Sequence, residues 1–145
     1  LDGRKATGLD IRTLYIPQEV DDSSSIEFLS EIKDLPQAER GALLSIVAQL
    51  NSDPERILSG ENISPGELRK LMLARGILDA PEIIVMDEPT NHLDLHSVEA
   101  LERALSAFPG ALVLVSHDEQ FLSASCPLRL DLAPEEEHTI GQPLL

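Results

Sequence analysis

Four apolar residues followed at once by two acids, Ile83-Ile84-Val85-Met86-Asp87-Glu88, constrain this chain more than any other stretch. A short continuous apolar run predicts a strand buried in a parallel sheet. Such a strand delivers Asp87 and Glu88 to its C-terminal end, the rim where open α/β sheets bind ligands. A second buried strand is predicted over residues 111–115, and it ends in Ser116-His117. Between the two, Val98, Leu101, Leu105 and Phe108 fall on one face of a helix near 96–107, and another short helix follows near 118–124. Strand, helix, strand, helix over residues 83–124 predicts a parallel sheet with helices packed on it. Asp87, Glu88 and His117 then share one rim.

The rest of the chain arranges itself around this unit. Residues 11–16 alternate enough for a strand, ended by Pro17-Gln18. Asp21 to Ser25 reads as a polar loop, and Ser24 with Glu27 three residues on as a helix start. That helix runs to about Asp34, where Leu35-Pro36 breaks it. A second helix to about Leu50 carries Leu43, Leu44, Ile46, Val47 and Leu50, and Asn51-Ser52-Asp53-Pro54 ends it and opens a short third one. A longer helix is expected over about 65–79, then, near 128–132, a weak strand followed by a mobile tail. The expected division is 1–25 as the end of an N-terminal core part, 26–62 as a helical subdomain, 63–125 as the main core, and 126–145 as a C-terminal strand and tail.

Composition removes several classes. Among 145 residues, 26 acids oppose 11 bases, a formal net charge of −15. Such a surface repels nucleic acid, so no direct nucleic-acid contact is expected from this segment. With no Trp, one Tyr and three Phe, a platform for stacking single-stranded bases is not expected. A single cysteine, Cys126, excludes an internal disulfide and a cysteine zinc site, which suits a reducing, cytoplasmic setting. No apolar run approaches the ~20 residues that span a bilayer.

The acids at the rim suggest chemistry. Asp87 is expected to hold Mg²⁺, through water, because this ion takes few protein carboxylates. Glu88 is expected to orient and polarise an attacking water, and His117 to hydrogen-bond a γ-phosphate. Ser64-Pro65-Gly66-Glu67 carries two readings at once. Ser64 and Glu67 form a capping box with Pro65 at the first helical position. The same helix N-terminus is an anion site. His92 and His96, four apart, suggest a metal pair on one helix face but lack a third ligand. Cys126 reads as a packing residue and Glu135-Glu136-Glu137 as solvated charge.

Together these motifs resemble the nucleotide-binding domain of ABC ATPases. Tyr15-Ile16-Pro17-Gln18 is similar to the Q-loop, Ile63-Ser64-Pro65-Gly66-Glu67 to the signature motif, and Ile83 to Glu88 to the Walker B strand with its catalytic glutamate. Asn91-His92-Leu93-Asp94 is similar to the D-loop and Ser116-His117-Asp118 to the switch histidine. The order and the gaps agree, with Asp87 standing 23 residues after Ser64 and Asp94 seven after Asp87. The octapeptide of residues 87–94, Asp-Glu-Pro-Thr-Asn-His-Leu-Asp, resembles the ABC-F group, soluble twin-domain ATPases of which many act on ribosomes. Glu67, Ala107-Phe108-Pro109-Gly110 and Phe121-Leu122 fit the same group.

The resemblance implies an α/β fold, the C-terminal part of a P-loop NTPase (RecA-like) parallel sheet with an ABC helical subdomain. It implies ATP and Mg²⁺ as cofactors, with Glu88 and His117 catalytic and Asp87 and Gln18 near the metal or the attacking water. Ser64, Gly66 and Glu67 then face nucleotide held by a second nucleotide-binding domain, paired head to tail in cis or as a homodimer. Asn91 and Asp94 stand at that domain interface. The ribosome is a further expected partner, and a membrane partner belongs only to the alternative of a transporter's ATPase subunit. A truncated, non-catalytic interaction module is the other alternative.

Two departures stand out. Pro65 replaces the usual Gly of the signature and removes one N–H. No Gly-x-x-x-x-Gly-Lys-Ser/Thr phosphate loop occurs in the 145 residues, and Gly3-Arg4-Lys5-Ala6-Thr7 lacks its spacing. The resemblance implies that this loop lies upstream of Leu1, and that the fragment alone is inactive in ATP hydrolysis.

Overall fold

The computed structural model describes residues 10–59 and 63–130. Three parallel strands, β1 (Thr13–Ile16), β2 (Ile83–Asp87) and β3 (Ala111–Val115), form one sheet in the order β1-β2-β3. Tyr15 pairs with Val85 and Val85 with Val113, and Asp87 at the end of β2 pairs with Val115. Between β1 and β2 the chain forms α1 (Asp22–Asp34), α2 (Gln37–Gln49), α3 (Pro54–Ser59) and α4 (Pro65–Leu78). Helix α5 (Leu95–Ser106) is the crossover from β2 to β3, and α6 (Glu119–Ser125) follows.

One core joins these elements. Leu14 and Ile16 of β1 and Ile84 and Met86 of β2 pack with Leu71, Leu73 and Ala74 of α4 and with Leu101 and Leu105 of α5. Leu43 and Val47 of α2, Ile32 of α1, Ile57 of α3 and Phe121 of α6 extend the same cluster. Helix α4 reaches β1 closely because Gly76 has no side chain where Leu14 sits.

Three expectations change. The strands are buried on one face only: α4 and α5 join the core on the face of Leu14, Ile84 and Met86, whereas Tyr15, Val113 and Val115 remain 45%, 50% and 56% exposed. Helix α1 starts before Ser24. Asp21 is its N-cap, and its carboxylate accepts from the Ser24 backbone N–H at 2.9 Å and from the hydroxyls of Ser23 and Ser24. These bonds hold the Asp21 carboxyl far below its ordinary range. Residues 128–130 do not join the sheet, and Leu128 and Leu130 lie exposed. The rest of the expected C-terminal strand and tail, Glu135 to Glu137, and Gly3 to Thr7 lie outside the described residues.

Candidate active site

The rim at the C-terminal ends of β2 and β3 gathers the acids and the histidine. Asp87 closes β2, and Glu88 leaves the strand with φ of 44°. The Glu88 N–H donates to the Val115 carbonyl at 2.7 Å, which ties the turn to the end of β3. Its carboxylate accepts from Ser116 Oγ at 3.3 Å and from the His117 N–H at 3.4 Å, and lies 3.5 Å from His117 Nε2. The Glu88 side chain is 12% exposed and the imidazole of His117 fully so. A shielded carboxylate beside an open imidazole suits a group that orients a water next to one that reaches a ligand.

The N-terminus of α4 forms a second cluster. Ser64 Oγ accepts from the Glu67 N–H at 3.2 Å, and Glu67 Oε2 accepts from the Ser64 N–H at 2.9 Å, the predicted capping box. Burial alone raises the Glu67 carboxyl, but the Ser64 bonds, with Arg56 and Lys70, outweigh it and leave the group below its ordinary value. Ser64, Gly66, Glu67, Lys70, Asp94 and Ser97 line one polar cavity of about 230 Å³. A Cβ on Gly66 would stand 2.8 Å from the His92 carbonyl oxygen, so the helix meets the following loop backbone to side-chain-less backbone.

Asp94 is the N-cap of α5. It accepts from the Ser97 N–H at 2.9 Å and from Ser97 Oγ at 3.1 Å, and these bonds hold its carboxyl below the ordinary value. His92 lies in the loop before α5 with φ of 63°, so His92 and His96 do not share a helix face. Among the described residues, no group of three His, Cys, Asp or Glu is arranged to hold a metal. Gln18, just past β1, lines a cavity of about 360 Å³ with Ile63, Pro65, Arg69 and His92. Cys126, at the C-cap of α6, is partly buried, and that burial pushes its thiol pKa up.

Two residues escaped the sequence reading. Arg69 and Lys70 of α4 are 4% and 6% exposed. The Arg69 guanidinium donates to the carbonyls of Glu88 at 2.6 Å and of Asp87 and Asn91 at 3.2 Å. Burial lowers the Arg69 pKa, and the Asp87 and Glu88 carboxylates oppose that shift. Lys70 Nζ donates to Ser97 Oγ at 2.6 Å, to the Asn51 carbonyl at 3.0 Å and to Ser52 Oγ at 3.2 Å. The available signal was the run Leu68-Arg69-Lys70-Leu71, two cations where a packed helix calls for apolar residues.

A protein-family model described as ABC transporter matches residues 4–91. The probable ATP-binding protein YbiT of Escherichia coli O157:H7 is 40% identical over 82 residues, 57% of this chain and 14% of the relative. The energy-dependent translational throttle protein EttA of Escherichia coli K12 is 33% identical over 117 residues, 78% of this chain and 21% of the relative. The chain thus spans about a fifth or less of the length of these relatives. Among solved structures, the dimeric post-hydrolysis state of the ATP-binding cassette MJ0796 bound to ADP and Pi aligns with a TM-score of 0.58 at 18% identity, over 79% of this chain and 56% of that one.

Proposed function

Because this chain belongs to the ATP-binding cassette family, with motifs of the ABC-F kind, we propose that it is the Walker B, signature and switch-histidine part of an ATPase that couples Mg-ATP hydrolysis to conformational change. The observation that carries this reading is the Glu88 carboxylate, shielded and held beside His117 at the C-terminal rim of a parallel sheet. Glu88 orients the attacking water, and its N–H bond to β3 anchors the turn that carries this carboxylate. His117, open to solvent, donates to a phosphate oxygen.

The donor set fits a magnesium nucleotide, since Asp87 ends β2 beside Glu88 and Gln18 lies past the neighbouring strand end. Bound there by Asp87 and Gln18, Mg²⁺ would neutralise phosphate charge. Ser64 and Gly66 at the N-terminus of α4 face a nucleotide on a second domain. Asn91 and Asp94 sit beside them on that interface. The phosphate loop comes from polypeptide outside these residues, and the uncovered face of Tyr15, Val113 and Val115 is where its layer packs.

The similarity to EttA, a translational throttle protein, supports a ribosome-associated, cytoplasmic protein. Among the described residues, no helix is long and apolar enough to cross a membrane. Mg-ATP turnover by the intact protein and by the 145-residue chain tests this reading. The intact protein is expected to hydrolyse ATP and the chain alone to bind it weakly. Tight Mg-ATP binding by the chain alone would overturn the division of the site.

A further inference from the structure

The turn that carries Glu88 needs an external support. Both Glu88 and His92 adopt left-handed backbone conformations, at φ of 44° and 63°. Such conformations are costly in residues with side chains and persist only where their surroundings fix them. The turn's own bonds are few: the Asn91 N–H donates to the Glu88 carbonyl and the Leu93 N–H to that of Thr90, both at 3.2 Å. The stronger restraint comes from α4. One guanidinium, 4% exposed, collects the carbonyls of Asp87, Glu88 and Asn91.

We propose that Arg69 is a positioning residue for Glu88, the fork that fixes the water-orienting carboxylate to the signature helix. This rests on the reading of Glu88 given above. The backbone of Glu88 is held at both ends, its N–H by Val115 of β3 and its carbonyl by Arg69 of α4. The carboxylate is thereby set against Ser116 and His117. Lys70 secures the far end of the same loop, because its bond to Ser97 holds the partner of the Asp94 cap. Arg69 stands five residues after Ser64 on one rigid helix. A shift of α4 therefore moves the carbonyl of Glu88 without passing through any intervening side chain.

The test is steady-state ATP turnover by the intact protein carrying Arg69→Lys, Glu88→Gln, or both. A lysine keeps the charge but has no planar fork to serve three carbonyls. Arg69→Lys is expected to lower kcat by about 10- to 100-fold, since ångström-scale misplacement costs that much, with KM within about twofold. In the Glu88→Gln background it should add no further loss, because both changes act through one carboxylate. A kcat within about twofold of the parent for folded Arg69→Lys, or a fully additive loss in the double variant, would overturn the proposal. If Glu88→Gln alone leaves turnover unchanged, the reading of Glu88 fails, and that outcome is separate. Should Arg69→Lys not fold, amide exchange in the unsubstituted intact protein decides. Protection of the Asn91 and Leu93 amides matching that of β2 supports the fork, and exchange at open-loop rates overturns it.

Discussion

Gly66 shows how a single missing side chain shapes this site. Its residue type was legible as part of a phosphate-facing motif, but its packing against His92 was not, because that contact joins residues 26 apart in sequence. Gly66→Ala forces the loop to move and is expected to cost about 1–3 kcal/mol, the usual range for overpacking. Denaturant unfolding of the parent and the variant measures this, and equal midpoints would contradict the close approach.

Three carboxyls, Asp21, Glu67 and Asp94, have folded pKa values below their ordinary ones. For Asp94 the chief cause is the bond from the Ser97 N–H, and its ordinary value is 3.8. A lowered folded pKa adds stability that is present above the unfolded value and is lost as pH falls through the folded one. Melting temperature should therefore drop on acidification below about pH 4, and Asp94→Asn should flatten that decline. A melting temperature independent of pH between 2 and 6 would contradict the assignment.

At the scale of elements, the sequence was most readable where physics is local. The run of residues 83–86 before two acids marked β2, Asn51 marked the end of α2 with its φ of 56°, and Ser64 with Glu67 marked the start of α4. Ser64→Ala removes the cap and should destabilise the fold by about 1 kcal/mol, whereas Ser64→Thr should keep most of it. Equal losses in calorimetry for both substitutions would argue against the capping box. Asp21 was missed as a cap because the serines that follow it compete for the same reading. Its ionised carboxylate accepts from three donors, which no serine hydroxyl matches. Arg69 and Lys70 were missed because a helical pattern shows which face is buried, not which backbone carbonyls wait there.

For the whole molecule, the sheet has one finished face. Apolar runs in β2 and β3 predicted burial on both sides, and described helices cover one. Composition reports how much burial a strand is built for, and under the proposed function the polypeptide that carries the phosphate loop supplies the covering layer. In the intact protein, Val113→Asp should lower the melting temperature, since it sets a charge in a covered face. An unchanged melting temperature would mean that this face stays open. The charge of −15 likewise describes these 145 residues alone, which match about a fifth of the length of the relative EttA.

Everything proposed for function converges on one carboxylate. The most direct measurement is the Mg-ATP turnover number of the intact protein with Glu88→Gln, alongside its affinity for Mg-ATP. Turnover should fall by about 10²-fold or more, in line with the loss of a positioned general base, while binding is retained. Unchanged turnover in that variant would contradict the assignment of Glu88 and the site built around it.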